Sequence, residues 1–502
     1  MRLSLGDLAW ALVLAVAGVL AVLVSTPDGP GLAVDSVAYI RAARQLGEGI
    51  GLAQLGTHWP PGYPLLLNLA SSVTGSELAA ARWLSAVSLG ASLSAIYLYA
   101  AGSNRGSRAS YLATLLSLAL LLNAAGLLPF LFALSEGPFV ASLCWVMLAG
   151  LWLGRGQVVG IAALVLIVGL ALMFLLRYAA APLALGVLLA MAIQRHREGR
   201  RYVVLVASSA VLAVLPLIMW LLHAAGGDGA SVRELGFHPP AATQFLQLFA
   251  TLDKWVGGRV PWLGLVVYLA VLLTAIWRWW EVRSYPLAQL LLLHFAYLGF
   301  LLLSLTFVDA HTLLDERIML PLFPAFLLLF AVVAGSFVGE DKGVRVEAGV
   351  LLGLVAVLLL GLPAANNLAS QSRLVGLGFA DRNARGLPVY LLAASIERHR
   401  PVYGNSGEIL YLYHEREVLP LPRLIDPLTR EFNEEFESQM NTMVFDMQRR
   451  RGVLLWVESA ARARPYLPTP DLMLEHFPLE VLMEAPGGLL LAPEVIRPPP
   501  SD

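Results

Sequence analysis

Cysteine is almost absent from this chain. Its 502 residues contain one, Cys144, inside an apolar run, so no intrachain disulfide can form and no external disulfide framework exists. Charge is scarce too: 14% of residues are Asp, Glu, Lys or Arg, against roughly a quarter in a soluble domain. Lysine occurs only at Lys254 and Lys342, and arginine takes the other basic positions. The net charge of −1 excludes a general electrostatic affinity for nucleic acid. No internal repeat is visible. What the chain has in abundance is apolar surface: 58% of residues are hydrophobic and the mean hydropathy is +0.71, the composition of an integral membrane protein.

About 20 apolar residues cross ~30 Å of hydrocarbon as a helix. The sequence predicts eleven such spans, over about 8–24, 78–101, 110–123, 134–153, 157–175, 178–194, 202–222, 260–280, 285–305, 317–338 and 345–363. The first lacks a clear small-residue cleavage site and ten more follow it, so it reads as a span and not as a signal peptide. With a cytoplasmic N-terminus, the inside loops hold Arg105, Arg108, Arg155, Arg195, Arg197, Arg200, Arg201, Arg278, Arg283, Lys342 and Arg345. The external turns hold far fewer basic residues, as the positive-inside rule requires. An odd number of spans then places the C-terminal segment outside.

The expected organisation is a polytopic α-helical membrane domain, residues 1–363, with external loops at 25–77 and 223–258, followed by an external α/β domain, residues 364–502. In the first loop Tyr39, Ala42, Ala43 and Leu46 recur at helical spacing, giving a helix able to lie in the interface plane. The stretch 64–72 is too short to span and belongs there as well. The second loop is rich in Gly, His and Pro. In the tail, strands are expected at PVYGN from Pro401, at EVLPLP and at GVLLWVES, with a hairpin turned at Gly487-Gly488. Helices are expected in SGEILYLYHER, with Asn405 or Ser406 as N-cap, and in the charged run from Leu428. Strands alternating with helices make a small α/β domain.

The most informative segment lies between the first two spans. Asp35 opens the short amphipathic helix, and a Trp59-Pro60-Pro61-Gly62-Tyr63-Pro64 turn follows it. Together with Tyr39, Ala42-Ala43, Gly47 or Gly49, Gly75 and Arg82, this segment resembles the first external loop of the GT-C superfamily. These are multispanning glycosyltransferases that take sugars from polyprenol-phosphate carriers, and the bacterial aminoarabinose and protein mannosyltransferase-like group shares the pattern. The tail likewise resembles the soluble C-terminal domain of many bacterial members, where a Tyr-x-Asn strand precedes a helix. The resemblance implies the GT-C fold and an inverting transfer of one sugar from an undecaprenyl- or dolichyl-phosphate donor to a lipid, glycan or protein acceptor at the external face of the cell's inner (plasma) membrane. Two departures bear on the acceptor. Ser36 follows Asp35 where protein O-mannosyltransferases and the lipid A aminoarabinose transferase carry Asp-Glu, and Ile318 follows Arg317 where relatives often have Tyr.

Such a transfer needs a carboxylate to accept the acceptor's proton and cations to hold the departing phosphate. Asp35 is the candidate base; its alternative role is to cap the helix it opens. Arg177 and Arg317 stand at external ends of apolar runs, where an arginine either snorkels to the interface or forks onto phosphate oxygens. Tyr39, His58, Trp59, Tyr63 and Glu136 are the candidate substrate contacts. The aromatic residues can equally anchor depth at the interface, and Glu136 can simply face water. Asp309, His311, Asp315 and Glu316 match no metal signature and read as a solvated loop, so neither cofactor nor metal is expected, although a divalent ion is compatible with the chemistry. The rival function is a transporter or flippase of lipid-linked sugar, whose sequence mark is paired, interrupted helices in two halves of the chain. No such pairing is visible.

Overall fold

The computed structural model describes residues 4–52, 59–103, 109–195, 200–224, 236–308, 312–337, 343–426, 431–461 and 464–494. The chain divides into two compact units, residues 1–377 and 378–502.

The described residues of the first unit are mostly helical. In chain order it contains α1 (Leu5–Ser25), α2 (Val34–Gly47), α3 (Gly62–Thr74), α4 (Glu77–Ser103), α5 (Ala109–Leu121), α6 (Ala124–Leu131), α7 (Glu136–Gly154) and α8 (Val159–Leu176). It continues with α9 (Ala180–Arg195), α10 (Arg200–Ala224), α11 (Ala242–Trp255), α12 (Leu263–Val282), α13 (Tyr285–Phe307), α14 (Glu316–Met319), α15 (Leu322–Gly335) and α16 (Gly343–Leu374). Among the described residues six of these, α1, α4, α7, α8, α12 and α13, are long and apolar enough to cross a membrane. The protein is therefore a multi-pass membrane protein, and its lipid-facing helices show why. Leu12, Val16 and Leu20 on α1, Ile161, Leu164 and Val168 on α8, and Val266, Leu269 and Leu273 on α12 form exposed apolar stripes at helical spacing. Helices α4 and α7, by contrast, are buried inside the bundle.

Each of the eleven expected spans falls on helix, but several are not single straight crossings. The segment expected as 110–123 breaks at Asn123, whose side chain accepts from Ala125 N at 2.9 Å and starts α6; the two pieces, α5 and α6, are bent by 58°. The span expected at 317–338 is divided into α14 and α15, because Asp315 caps the first and Pro321 begins the second. Helix α16 runs on from the expected span to Leu374, so the unit boundary lies beyond the 363 expected from hydropathy. The 223–258 loop contains α11, an amphipathic helix, while its residues 225–235 lie outside the described set.

Two close contacts bring the loop between α1 and α4 to the bundle. Gly31 N donates to Leu131 O at 2.7 Å, and Ala133 N donates back to Gly31 O at 2.9 Å. A side chain at Gly31 would meet Leu377 Cβ at 2.8 Å and the ring of its bridge partner Phe132 at 3.0 Å, so the close packing here favours glycine. The bridge sets the start of α2 beside the residues that lead into α7. At the other end of the loop, a Cβ on Gly62 would lie 2.5 Å from Leu175 O. The Trp59–Tyr63 turn can therefore press on the end of α8, where Arg177 stands. Helix α2 buries Ser36, Val37, Tyr39, Ile40 and Ala43, a stripe set about one turn earlier than the sequence pattern suggested.

The second unit holds α17 (Arg382–Arg385), α18 (Pro388–Ser395), β1 (Val402–Gly404), α19 (Glu408–His414), β2 (Leu419–Pro420) and α20 (Phe436–Arg450). It ends with β3 (Val453–Val457), α21 (Glu458–Ala461), α22 (Pro470–His476), β4 (Leu479–Ala485) and β5 (Gly488–Pro493). The sheet order is β2-β1-β3-β5-β4, parallel across the first three strands and antiparallel across the last three. Strand β3, VLLWV, is apolar at every position because both faces are covered. Leu454 and Trp456 pack with Met440, Val444 and Met447 of α20, while Val453, Leu455 and Val457 pack with Val389, Ala393, Ile409 and Leu410 on the other side. One expected cap is absent. Gly407 precedes α19, and the Asn405 side chain instead pairs with the Val457 backbone at 2.9 and 2.8 Å, extending the ladder by one residue. Of the helix expected from Leu428, residues 428–430 lie outside the described set, and the helix in the described residues begins at Phe436.

Candidate active site

Four charged groups from four parts of the chain meet at one end of the bundle. Asp35 is in the first turn of α2, Glu136 opens α7, Arg177 ends α8 and Arg317 lies on α14. Asp35 does not cap its helix: the N-cap position is Ala33, and the capping bond comes from the Ser36 hydroxyl, which accepts from Ala33 N at 2.9 Å. The Asp35 carboxylate turns instead to Arg317, whose Nη2 donates to Oδ2 at 2.6 Å. The same nitrogen donates to Glu136 Oε1 at 2.7 Å, and Arg317 Nε donates to that oxygen at 2.8 Å. Arg177 Nη1 reaches it as well, at 2.7 Å.

Glu136 Oε1 is thus the hub of the cluster. Its side chain is 2% exposed, and Ser135 Oγ donates to its second oxygen at 3.4 Å. A lone buried carboxylate costs several kcal/mol, and here two guanidiniums compensate it. Neither arginine merely snorkels: each is held in place by a buried acid while part of its surface stays open.

Beside this hub lies a cavity of about 510 Å³. Asp35, Arg177 and Arg317 line it, with Tyr39, Trp59, Tyr178, Tyr297 and Phe300 as aromatic walls. Tyr39 is held by edge contacts to Trp59 and Tyr63, with ring centroids 5.7 and 5.1 Å apart, and its hydroxyl lies 3.3 Å from Ser135 Oγ. Burial, with the Glu136 carboxylate adding to it, pushes the Tyr39 phenol well above its ordinary range, so it stays a neutral hydroxyl.

Two expected substrate contacts stand behind the wall and do not line it. Tyr63 is fully buried under Tyr39, because the Gly62 contact pulls the turn onto α8. Glu136 is covered by the arginines it anchors. His58 lies outside the described residues. Two lining residues carried no readable sign of a role. Tyr297, on α13, donates its hydroxyl to Ile318 O at 2.7 Å, so a tyrosine does stand beside the Arg317 turn, supplied by another helix. Asp315, expected in a solvated loop, accepts from Arg317 N and Ile318 N at 3.0 Å each and shapes that turn. Burial, only partly offset by these amides, raises its carboxyl pKa. Glu316 pairs with Lys254. Among the described residues no three His, Cys, Asp or Glu side chains converge as a metal site requires; Asp309 and His311 are outside that set.

The hub makes Glu136 a determinant of stability. Glu136→Gln keeps the shape but removes the carboxylate that Arg177 and Arg317 share, leaving Asp35 to balance Arg317 alone, and should destabilise the protein by about 3 kcal/mol. Thermal unfolding in detergent measures this; an unchanged melting curve would show that the cluster contributes nothing to stability.

Comparison with known proteins agrees with this architecture. Residues 58–220, which include Trp59, Glu136 and Arg177, match the family described as dolichyl-phosphate-mannose-protein mannosyltransferase. The crystal structure of ArnT from Cupriavidus metallidurans in the apo state superposes with a TM-score of 0.63 at 12% identity, covering 97% of this chain and 98% of that one. The same protein bound to undecaprenyl phosphate gives 0.61 at 11% identity, over 96% and 98%. The oligosaccharyltransferase AglB from Archaeoglobus fulgidus, in complex with an inhibitory peptide and a dolichol-phosphate, gives 0.52 at 11% identity, over 90% of this chain and 70% of that one. No curated protein sequence matches significantly. The chain has the GT-C fold.

Proposed function

We propose that this protein is an inverting glycosyltransferase that moves a sugar from a polyprenyl-phosphate carrier to a lipid, glycan or protein acceptor at the external membrane face. The observation that carries this reading is the convergence of one carboxylate and two guanidiniums on a single aromatic-walled cavity at the end of the bundle. In the reaction, an acceptor hydroxyl attacks the anomeric carbon while the bond from that carbon to the phosphate oxygen breaks. The electron pair leaves with the polyprenyl phosphate, whose growing charge Arg177 and Arg317 stabilise. Asp35 takes the acceptor's proton. Tyr39 and Trp59 supply apolar faces and a neutral hydroxyl suited to a sugar ring.

The starting pair between Arg317 and Asp35 has a role in this scheme. A phosphate oxygen arriving at Arg317 competes with Asp35 for Nη2, and the displaced carboxylate is then available as a base. Solved proteins of this fold support the donor class, since one holds undecaprenyl phosphate and another a dolichol-phosphate.

The bent pair α5 and α6 favours a second reading, because broken helices are the mark of transporters. Its break is sealed, however: Asn123 Nδ2 donates to Lys254 O and Trp255 O at 3.2 and 3.0 Å. Proteoliposomes loaded with polyprenyl-phosphate-linked radiolabelled sugars and a membrane extract as acceptor source separate the two. A transferase releases polyprenyl phosphate as sugar moves to the acceptor fraction. Intact donor appearing in the opposite leaflet, with no release, would establish the transporter.

The external face is tested independently. Ser395 and Ser459 are exposed in the second unit, whereas Cys144 is buried. In a Cys144→Ser background, cysteines introduced at these two positions should react with an impermeant maleimide as soon as the outer barrier is open. Labelling only after the inner membrane is permeabilised would place the domain in the cytoplasm.

A further inference from the structure

The turn that carries Arg317 is held by a helix outside the site. Along one face of α11, Gln244, Thr251 and Lys254 point at the segment 312–316. Gln244 Nε2 donates to Thr312 O at 2.9 Å. The Thr251 hydroxyl lies 2.9 Å from Leu314 O and equally far from Gln247 O of its own helix, so its single proton is shared between them. Lys254 pairs with Glu316. Residues 244, 251 and 254 stand seven and three apart, the spacing of one helical face. The opposite face shows exposed Phe245 and Leu246, so the polar groups are turned inward by design of the amphipathic pattern and not by chance solvation.

Helix α11 is itself fixed at its C-terminal end. Asn123 holds two of its carbonyls, and the Asp253 carboxylate accepts from Trp262 N and Gly264 N at 2.8 Å each, locking it to the start of α12. Gly264 approaches so closely that a Cβ there would overlap the Leu252 carbonyl. A rigid path therefore runs from α6 and α12 through α11 to the cavity-lining segment Thr312–Arg317. The segment's own helix, α14, is a single turn, and beyond it the turn is held by the Asp315 cap, by Tyr297 on Ile318 O and by the ion pairs of Arg317, none of which touches the carbonyls of Thr312 and Leu314.

We infer that Gln244 and Thr251 are positioning residues, which set the Arg317 guanidinium at the level where the donor phosphate binds by bonding the carbonyls of Thr312 and Leu314. This rests on the reading of Arg317 as a phosphate ligand. Gln244 also accepts from Ala241 N at 2.8 Å as part of the α11 start. Gln244→Glu keeps that acceptor and puts a carboxylate oxygen in place of the donor to Thr312 O; Thr251→Val removes the hydroxyl at nearly equal volume.

The test uses the full-length protein in nanodiscs with undecaprenyl phosphate as probe, its affinity measured by native mass spectrometry titration. The Gln244→Glu, Thr251→Val double variant should bind about 10-fold more weakly, since a displaced ligand group forfeits its directed bonds. Thr251→Ser should restore the Thr251 share of the loss. In an Arg317→Ala background the same double change should have less than about a 2-fold effect, because residues that act through one group are not additive. Wild-type affinity of the double variant alongside weakened Arg317→Ala overturns the positioning role and leaves the phosphate reading intact. A loss that persists undiminished without Arg317 also overturns it, as the residues then act elsewhere. Unchanged binding by Arg317→Ala itself removes both.

Discussion

Asp35→Asn should give a folded protein that still binds polyprenyl-phosphate sugar but transfers it about 10²–10⁴ times more slowly, the usual worth of a general base. Asparagine has nearly the same shape, and its carbonyl oxygen can still accept from Arg317 Nη2, now 2.6 Å from Asp35 Oδ2. What it cannot do is take a proton. The starting ion pair adds a second expectation that a helix-capping role would not produce. Without a charged competitor on Arg317, the phosphate binds at least as tightly as in wild type, so KM falls or holds while kcat collapses. Capping is in any case supplied by Ser36. Wild-type turnover by the asparagine variant would remove Asp35 from the chemistry.

Arg317→Ala should lower kcat/KM by about 10²–10³, the effect of deleting one directed donor to a developing anion. The lysine variant should fall between alanine and wild type. An ammonium is a point charge, whereas Arg317 uses Nε and Nη2 together in a planar fork, and a lysine cannot hold Glu136 and a phosphate in that geometry. Folding should survive better than in Glu136→Gln, because Arg177 still pairs with the buried acid at 2.7 Å. Arg177→Ala should act in the same direction. If both alanine variants use donor as well as wild type does, the guanidiniums serve only the buried hub.

The parts of this site that could be read in advance are those with a local signature. An acid opening a helix just after the first apolar span, followed by Trp-Pro-Pro-Gly-Tyr-Pro, marks Asp35 and its loop by pattern alone. Arginines at the ends of long apolar runs mark Arg177 and Arg317, because charge there needs a reason. The pairing among them is not local. Arg317 meets Asp35 across 282 positions and Glu136 across 181, and no period in the sequence encodes such a contact. Glu136 therefore looked like a group facing substrate, when burial makes it the anchor of both cations. Tyr297 is one tyrosine in an apolar helix, and nothing distinguishes it from packing until Ile318 O is seen beside it. Asp315 was hidden among neighbouring acids of which only one could be the cap of α14.

The fold shows the same division. Strand β3 and the β4–β5 hairpin were readable from period and turn residues, since burial on both faces demands a continuous apolar run. Spans were readable as apolar segments but not as crossings. Hydropathy does not register a break such as Asn123 or a cap such as Asp315, because a single polar side chain hardly changes an average over about 19 residues. Helix α11 was lost inside a loop rich in glycine and proline, although Phe245, Leu246 and Phe249 carry its apolar face.

The account turns on where the carrier's phosphate sits, and a structure of the protein with a polyprenyl phosphate bound measures that directly. The phosphate should lie between Arg177 and Arg317, within hydrogen-bonding distance of both guanidiniums, with Asp35 released from Arg317 and facing the cavity. A phosphate bound elsewhere, such as beside the 223–258 loop, with the Arg317–Asp35 pair intact, would contradict it.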